Sequence, residues 1–106
     1  MADTPKITQT ALAATTPADV YTVPASTTFI GFVTFANRSA TATTYRLSVG
    51  IAGLATEDKQ YLAYDIPIIG NSTSKKWWVM LNATDIIRAY AGAATVSVTV
   101  NGIQVT

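Results

Sequence analysis

The sequence predicts an all-β protein: a single antiparallel β-sandwich, jelly-roll or immunoglobulin-like, with about seven to eight strands. Three observations carry this. β-branched and aromatic residues gather in short runs, as a pleated, half-buried surface prefers. Clusters of turn-forming residues such as Pro24-Ala25-Ser26 and Asn37-Arg38-Ser39 separate the runs. The runs recur every 8–12 residues or so, the rhythm of a sandwich or small barrel, and no helical period persists.

Residues 1–18 are polar, rich in Ala and Thr, and marked by Pro5 and Pro17. They are expected to form an N-terminal extended arm, with residues 19–106 as the sandwich domain. Lys6 to Leu12 alternates weakly, with Ile7 and Gln9 against Thr8 and Thr10. It can therefore add as an edge strand; the stretch is otherwise a frayed terminus or an extended arm that pairs with a neighbouring subunit. Asp19 to Val23 is a short strand stopped by Pro24. Thr27 to Ala36 is the strongest strand. Phe29, Val33 and Phe35 share one parity and Ile30 and Phe32 the other, so both faces are expected to be covered. Thr43 to Ile51 alternates, with Tyr45, Leu47, Val49 and Ile51 facing in and Thr44, Arg46, Ser48 and Gly50 facing water.

Ala52 to Lys59 is a polar insertion with room for one helical turn. Gln60 to Asp65 is a short strand, and Pro67 makes the stretch after it an edge or a loop. Gly70 to Thr73 is a turn. Strands follow at Lys75 to Leu81, Ile86 to Tyr90 and Thr95 to Val105. In the last, Val96, Val98 and Val100 face in, and Ser97, Thr99 and Asn101 face out.

Composition narrows the function. The 106 residues make one domain. Hydrophobic residues are 49% and charged residues only 12%, against roughly 25% charged in ordinary soluble domains. A small monomer with so little charge has trouble covering its surface with polar groups, which favours burial against other subunits. The formal net charge of +1 draws the chain to neither nucleic acid nor an anionic membrane. No apolar run approaches the roughly 18 residues of a membrane span, and the first residues lack the pattern of a signal peptide. The expectation is a chain made and used without secretion. Cysteine and histidine are both absent. Thiolate chemistry, the commonest general base and the commonest transition-metal ligand go with them. No enzymatic activity, cofactor or metal is expected.

The remaining motifs have bland readings. Glu57-Asp58 are adjacent in a polar loop, hence equivalent and solvated rather than a tuned acid/base pair. Asp85 falls in an Asn-Ala-Thr-Asp turn, where a short carboxylate caps backbone N–H groups. The triplets at Asn37, Asn71 and Asn82 read as turns rather than glycan acceptors. Trp77-Trp78 is more informative, because successive strand residues point to opposite faces. If Trp77 joins Val79 and Leu81 in the core, Trp78 and Met80 face outward; the other parity exposes Trp77. A large aromatic on the non-core face anchors an interface or lies under the N-terminal arm, and the low charge favours the interface. Trp78, Met80 and Phe32 are the candidate interface anchors, with Ile7 in the arm. Lys75-Lys76 beside the tryptophans is too small a basic cluster for a single-stranded nucleic acid.

The chain also resembles a group of small virion proteins of tailed bacteriophages. The residues that carry the resemblance are Val20-Tyr21-Thr22-Val23-Pro24-Ala25, Asn37-Arg38-Ser39-Ala40-Thr41-Ala42-Thr43-Thr44 and Tyr45-Arg46-Leu47-Ser48-Val49. Asp58-Lys59-Gln60-Tyr61-Leu62-Ala63-Tyr64-Asp65 and the closing ATDIIRAYAGAATVSVTVNG continue it in order. The Lys75 to Leu81 strand departs from the usual pattern, where a plainer aliphatic and Thr-rich strand is common. The resemblance implies a β-sandwich virion component without enzymatic activity, attached to capsid or tail. The expected function is a capsid cement or decoration protein that binds the outside of the head shell. Its partners would be the major capsid protein or other virion proteins, its state a homo-oligomer such as a trimer, and its location the virion, assembled in the host cytoplasm. A tail, baseplate or fibre-connecting protein is the alternative within the virion. A carbohydrate-binding module using Trp77 or Trp78 with Tyr61 and Tyr64 is the alternative outside it.

Overall fold

The computed structural model describes residues 3–106. The strands are β1 (Asp3–Ala11), β2 (Ala18–Thr22), β3 (Thr28–Asn37), β4 (Thr43–Gly50), β5 (Tyr61–Ile68), β6 (Ser72–Thr73), β7 (Trp77–Leu81), β8 (Ile86–Ala91) and β9 (Val96–Val105). Single 3-10 turns at Ile51–Gly53 and Asp58–Gln60 punctuate the polar insertion. One sheet runs β1-β9-β3, and the far edge of β3 is shared by β7 and the two-residue β6. The other runs β2-β8-β4-β5. Every strand pair is antiparallel.

The chain changes sheet at β1–β2, β2–β3, β3–β4 and β5–β6, and again at β7–β8 and β8–β9. The interleaved orders 1-9-3-7 and 2-8-4-5 make this a jelly roll rather than an immunoglobulin-like sandwich. Local patterning could not separate the two, because both need only short alternating strands.

The core lies between the sheets. Phe29, Val33 and Phe35 of β3 and Val96, Val98 and Val100 of β9 meet Tyr45 and Leu47 of β4 and Ile87 and Ala89 of β8. Phe35 stacks on Tyr45 across the gap at 4.3 Å between ring centroids, and Tyr21 meets Phe29 at 4.8 Å. Gly31 and Gly102 face each other across β3 and β9 beneath the Phe29 ring. A Cβ on Gly31 would lie 2.7 Å from the Gly102 Cα and 2.8 Å from Phe29 Cζ. The ring takes the volume that two side chains would need, which is why glycine interrupts an otherwise apolar parity.

Four expectations are corrected. Residues 3–11 pair along their whole length with β9 of the same chain, from Asp3↔Val105 to Ala11↔Ser97. The stretch expected to be an arm therefore adds as an edge strand, as its weak alternation allowed, but within its own sandwich, because β9 is long enough to template it. Leu12 and Val20 share one core, so no domain boundary falls at residue 18. Ile51 is 66% exposed, because the chain leaves the sheet at Gly50 and Ala52 takes a left-handed φ of 54°. Ser48, expected to be wet, is buried between its cross-strand neighbours Arg88 and Tyr61. Pro67 sits in β5, an edge strand, where a residue without an N–H is tolerated.

Candidate interaction face

β3 buries Phe29, Gly31, Val33 and Phe35, so strand alternation turns Ile30 and Phe32 to the outside of its sheet. Register then aligns neighbours beside them. Ile30 lies between Ile103 of β9 and Met80 of β7, and Ile103 faces Pro5 of β1. One step along, Phe32 lies between Asn101 and Trp78, and Asn101 faces Ile7. Two adjacent rows thus cross four strands, about 14 Å from first to last at the usual spacing between strands. Six of the eight residues are large or aliphatic side chains, Pro5 is a seventh apolar one, and only Asn101 is polar.

All four residues singled out in the sequence, Trp78, Met80, Phe32 and Ile7, fall in these rows. Trp78 is 67% exposed and Met80 77%. Phe32 is half-buried, with Trp78 edge-on at 4.9 Å. Trp77 takes the inward parity: it packs against the core and donates its Nε1–H to the Tyr45 hydroxyl at 3.1 Å. Within the chain β3 is covered on its inner face, and on the outer face, where the expected second cover would be a partner, Ile30 is 43% exposed. Ile30 and Ile103 complete the patch and were not singled out. The signal was present: continuing the outward parity of Ser97, Thr99 and Asn101 by one step reaches Ile103.

Two lysines flank β7. The Lys76 ammonium stands 5.1 Å from the Phe32 ring centre, at the rim of the rows. The Lys75 ammonium stands 4.0 Å from the Trp77 ring centre, at the adjoining edge of the sandwich. That edge holds an open hollow of about 530 Å³ lined by Tyr45, Ile66, Pro67, Lys75 and Trp77.

The outer face of the β2-β8-β4-β5 sheet is built differently. Arg46 lies between the rings of Tyr64 and Tyr90, 4.2 and 4.3 Å from their centres. Its guanidinium donates to both carboxylate oxygens of Asp65, at 2.7 and 3.3 Å. Tyr45 pairs Ile66 and Leu47 pairs Ala63, so Tyr64 and Asp65 together oppose Arg46 in a β-bulge, with Asp65 at a φ of 51°. The hydrogen bond from Arg46 holds the Asp65 carboxyl below the usual aspartate range, against the smaller upward push of desolvation. Arg88 donates to Asp19 at 2.9 Å and to the Leu54 carbonyl at 2.7 Å, tying the polar insertion to the sheet.

The turn residues behave as the sequence implies. Buried Asp85 accepts the Ala52 N–H on one oxygen and the Asn82 N–H on the other, both at 2.9 Å. Asn37 is buried too. Its amide donates to the Thr41 and Ile68 carbonyls, and its oxygen accepts the Ser39 N–H and the Thr95 hydroxyl. Such a side chain is a knot between turns, not a glycan acceptor. Of the aromatics named for a sugar platform, Trp77 packs against the core. Trp78 faces out from one sheet, while Tyr61 and Tyr64 pair with each other on the β5 edge of the other. Among the described residues, no group of three or more Asp or Glu gathers as metal ligands would.

No family model, curated protein or solved structure matches this chain.

Proposed function

We propose that this protein is a non-enzymatic structural protein of a tailed-bacteriophage virion. In this reading it is a capsid cement or decoration protein that sits on the outside of the head shell, held by the outer face of the β1-β9-β3-β7 sheet. The observation that carries the reading is the alignment of Ile7, Phe32 and Trp78 in one row and Ile30, Ile103 and Met80 in the next. A contiguous apolar face on a small domain marks a surface meant to be covered. The likeness of residues 19–103 to small phage virion proteins supplies the kind of assembly.

The mechanism is multivalent attachment. One such face is smaller than the roughly 800 Å² per partner of a stable pairwise complex. Copies bound at symmetry-related sites, or joined in a homo-oligomer, bridge neighbouring capsid subunits and add their weak contacts. Four of the six acidic side chains have other work: Asp19 and Asp65 pair with arginines, Glu57 with Lys59, and Asp85 caps backbone N–H groups.

The test is attachment of purified protein to head shells that lack it. Wild type is expected to decorate the shells in hundreds of copies, and Trp78→Ala to stay folded by circular dichroism yet decorate poorly. A ring-like copy number at the tail would move the protein to the tail or baseplate. Unchanged decoration by a folded Trp78→Ala would overturn the use of this face.

A further inference from the structure

We infer that the surface received by this face is acidic as well as apolar: a protein surface whose carboxylates meet Lys76, and at the adjoining edge Lys75. This rests on the proposed docking face and names the chemistry of what covers it. The charges of the chain are unevenly compensated. Three ion pairs among the described residues, Arg46–Asp65, Arg88–Asp19 and Lys59–Glu57, lie on the β2-β8-β4-β5 sheet or in its polar insertion. Among the described residues no carboxylate comes within ion-pair distance of Lys75 or Lys76, both of which are exposed. Each ammonium rests on an aromatic ring instead. A ring face holds a cation without using its N–H donors, so those donors stay available to an incoming acceptor. The acid on this face, Asp3, lies at the opposite corner, paired with Val105 beyond the apolar rows. The face is thus basic at its β7 side and acidic at one β1 corner, which gives a partner both a sign and an orientation.

Two other occupants fit less well. Of its six acidic side chains a second copy of the chain offers Asp3 and Asp58, since Asp19, Asp65 and Glu57 are ion-paired and Asp85 is buried in its turn. A single-stranded nucleic acid needs a basic track with several stacking rings. Here the rows are mostly aliphatic, with one exposed indole and one lysine at the rim.

The experiment titrates full-length protein onto head shells lacking it, at about 0.05 M and about 0.5 M salt, where screening differs strongly. Wild type should bind about tenfold more weakly at the higher salt. Lys76→Glu should bind about tenfold more weakly at low salt and lose most of its salt dependence, while Lys76→Arg stays close to wild type. Binding of wild type and Lys76→Glu that is equal and insensitive to salt, with Trp78→Ala still defective, would overturn the acidic partner and leave the docking face standing. Failure of wild type to bind at all would remove both. Should Lys76→Glu not fold, Lys75→Glu and the salt profile of wild type decide the matter. Sedimentation showing a dimer that Trp78→Ala dissolves, or binding of an oligo(dT) probe that Lys76→Glu abolishes, would assign the face to a different occupant and sink the inference.

Discussion

The two outer faces of this sandwich are made of the same kind of strand and end in opposite states. On the β2-β8-β4-β5 side, Arg46 and Arg88 lie across the sheet, clamped by Asp65 and Asp19 and, for Arg46, flanked by Tyr64 and Tyr90. That face satisfies its own charges. On the β1-β9-β3-β7 side, isoleucines, Met80 and Trp78 stand in open rows, and Lys75 and Lys76 find no carboxylate among the described residues. That face is incomplete by itself. A jelly roll requires only that inner faces be apolar, so the difference between the outer faces is not a demand of the fold. Under the proposed function, the open rows are the side that a partner covers.

The hardest way to break this contrast is to break the open sheet itself. Gly31→Ala puts a Cβ 2.3 Å from the Asn101 carbonyl oxygen and against the Phe29 ring. Backbone cannot move aside as a flexible side chain can. The variant should lose about 3 kcal/mol in urea unfolding, and its rows of apolar side chains should lose register. A loss under about 1 kcal/mol would show that β3 and β9 can part to admit a methyl group.

Next in size is the anchor of the polar insertion on the closed side. Asp85→Ala orphans the N–H groups of Ala52 and Asn82, and should cost about 2 kcal/mol. Amide exchange should quicken at Ala52 while the core strands of the open sheet stay protected. Loss of protection in both sheets together would mean that the faces are not energetically separable.

The sharpest separation of stability from attachment comes from the open rows. Trp78→Ser with Met80→Ser removes two side chains that are mostly exposed already. Stability should change by about 0.5 kcal/mol or less, measured by thermal melting, and binding of a hydrophobic dye should fall. A large loss of stability would mean that the rows support the fold rather than await a partner.

The smallest effect concerns pH on the closed face. The Asp65 carboxyl titrates lower in the folded chain than in the unfolded one, so its contribution is present above the usual aspartate value. It disappears as the pH falls through the lowered folded value. Asp65→Asn should therefore melt below wild type at neutral pH, and the gap should close in strong acid. A gap that persists there would mean that the deficit of the Asn variant does not come from the lost charge.

Much of this was legible from the residues. The parity of Val79 and Leu81 put Trp78 and Met80 on one side before any fold was known, and Asp85 read as a cap from its turn. Asn37 read as a turn residue, though nothing local announced that it would be buried and tie Thr41, Ile68 and Thr95 together. The destination of β1 was not legible either. Its weak alternation suits any free edge, and only the length of β9 makes one available in the same chain.

The alternation of side chains therefore determined which residues could not all be buried, because a strand has two sides and a sandwich covers one. It did not determine which of those residues would be neighbours. Ile7, Phe32 and Trp78 come from three distant segments, and they share a row only because β1, β9, β3 and β7 lie in that order with that register. Strand order is set by contacts between segments far apart in the chain, and no local pattern encodes it.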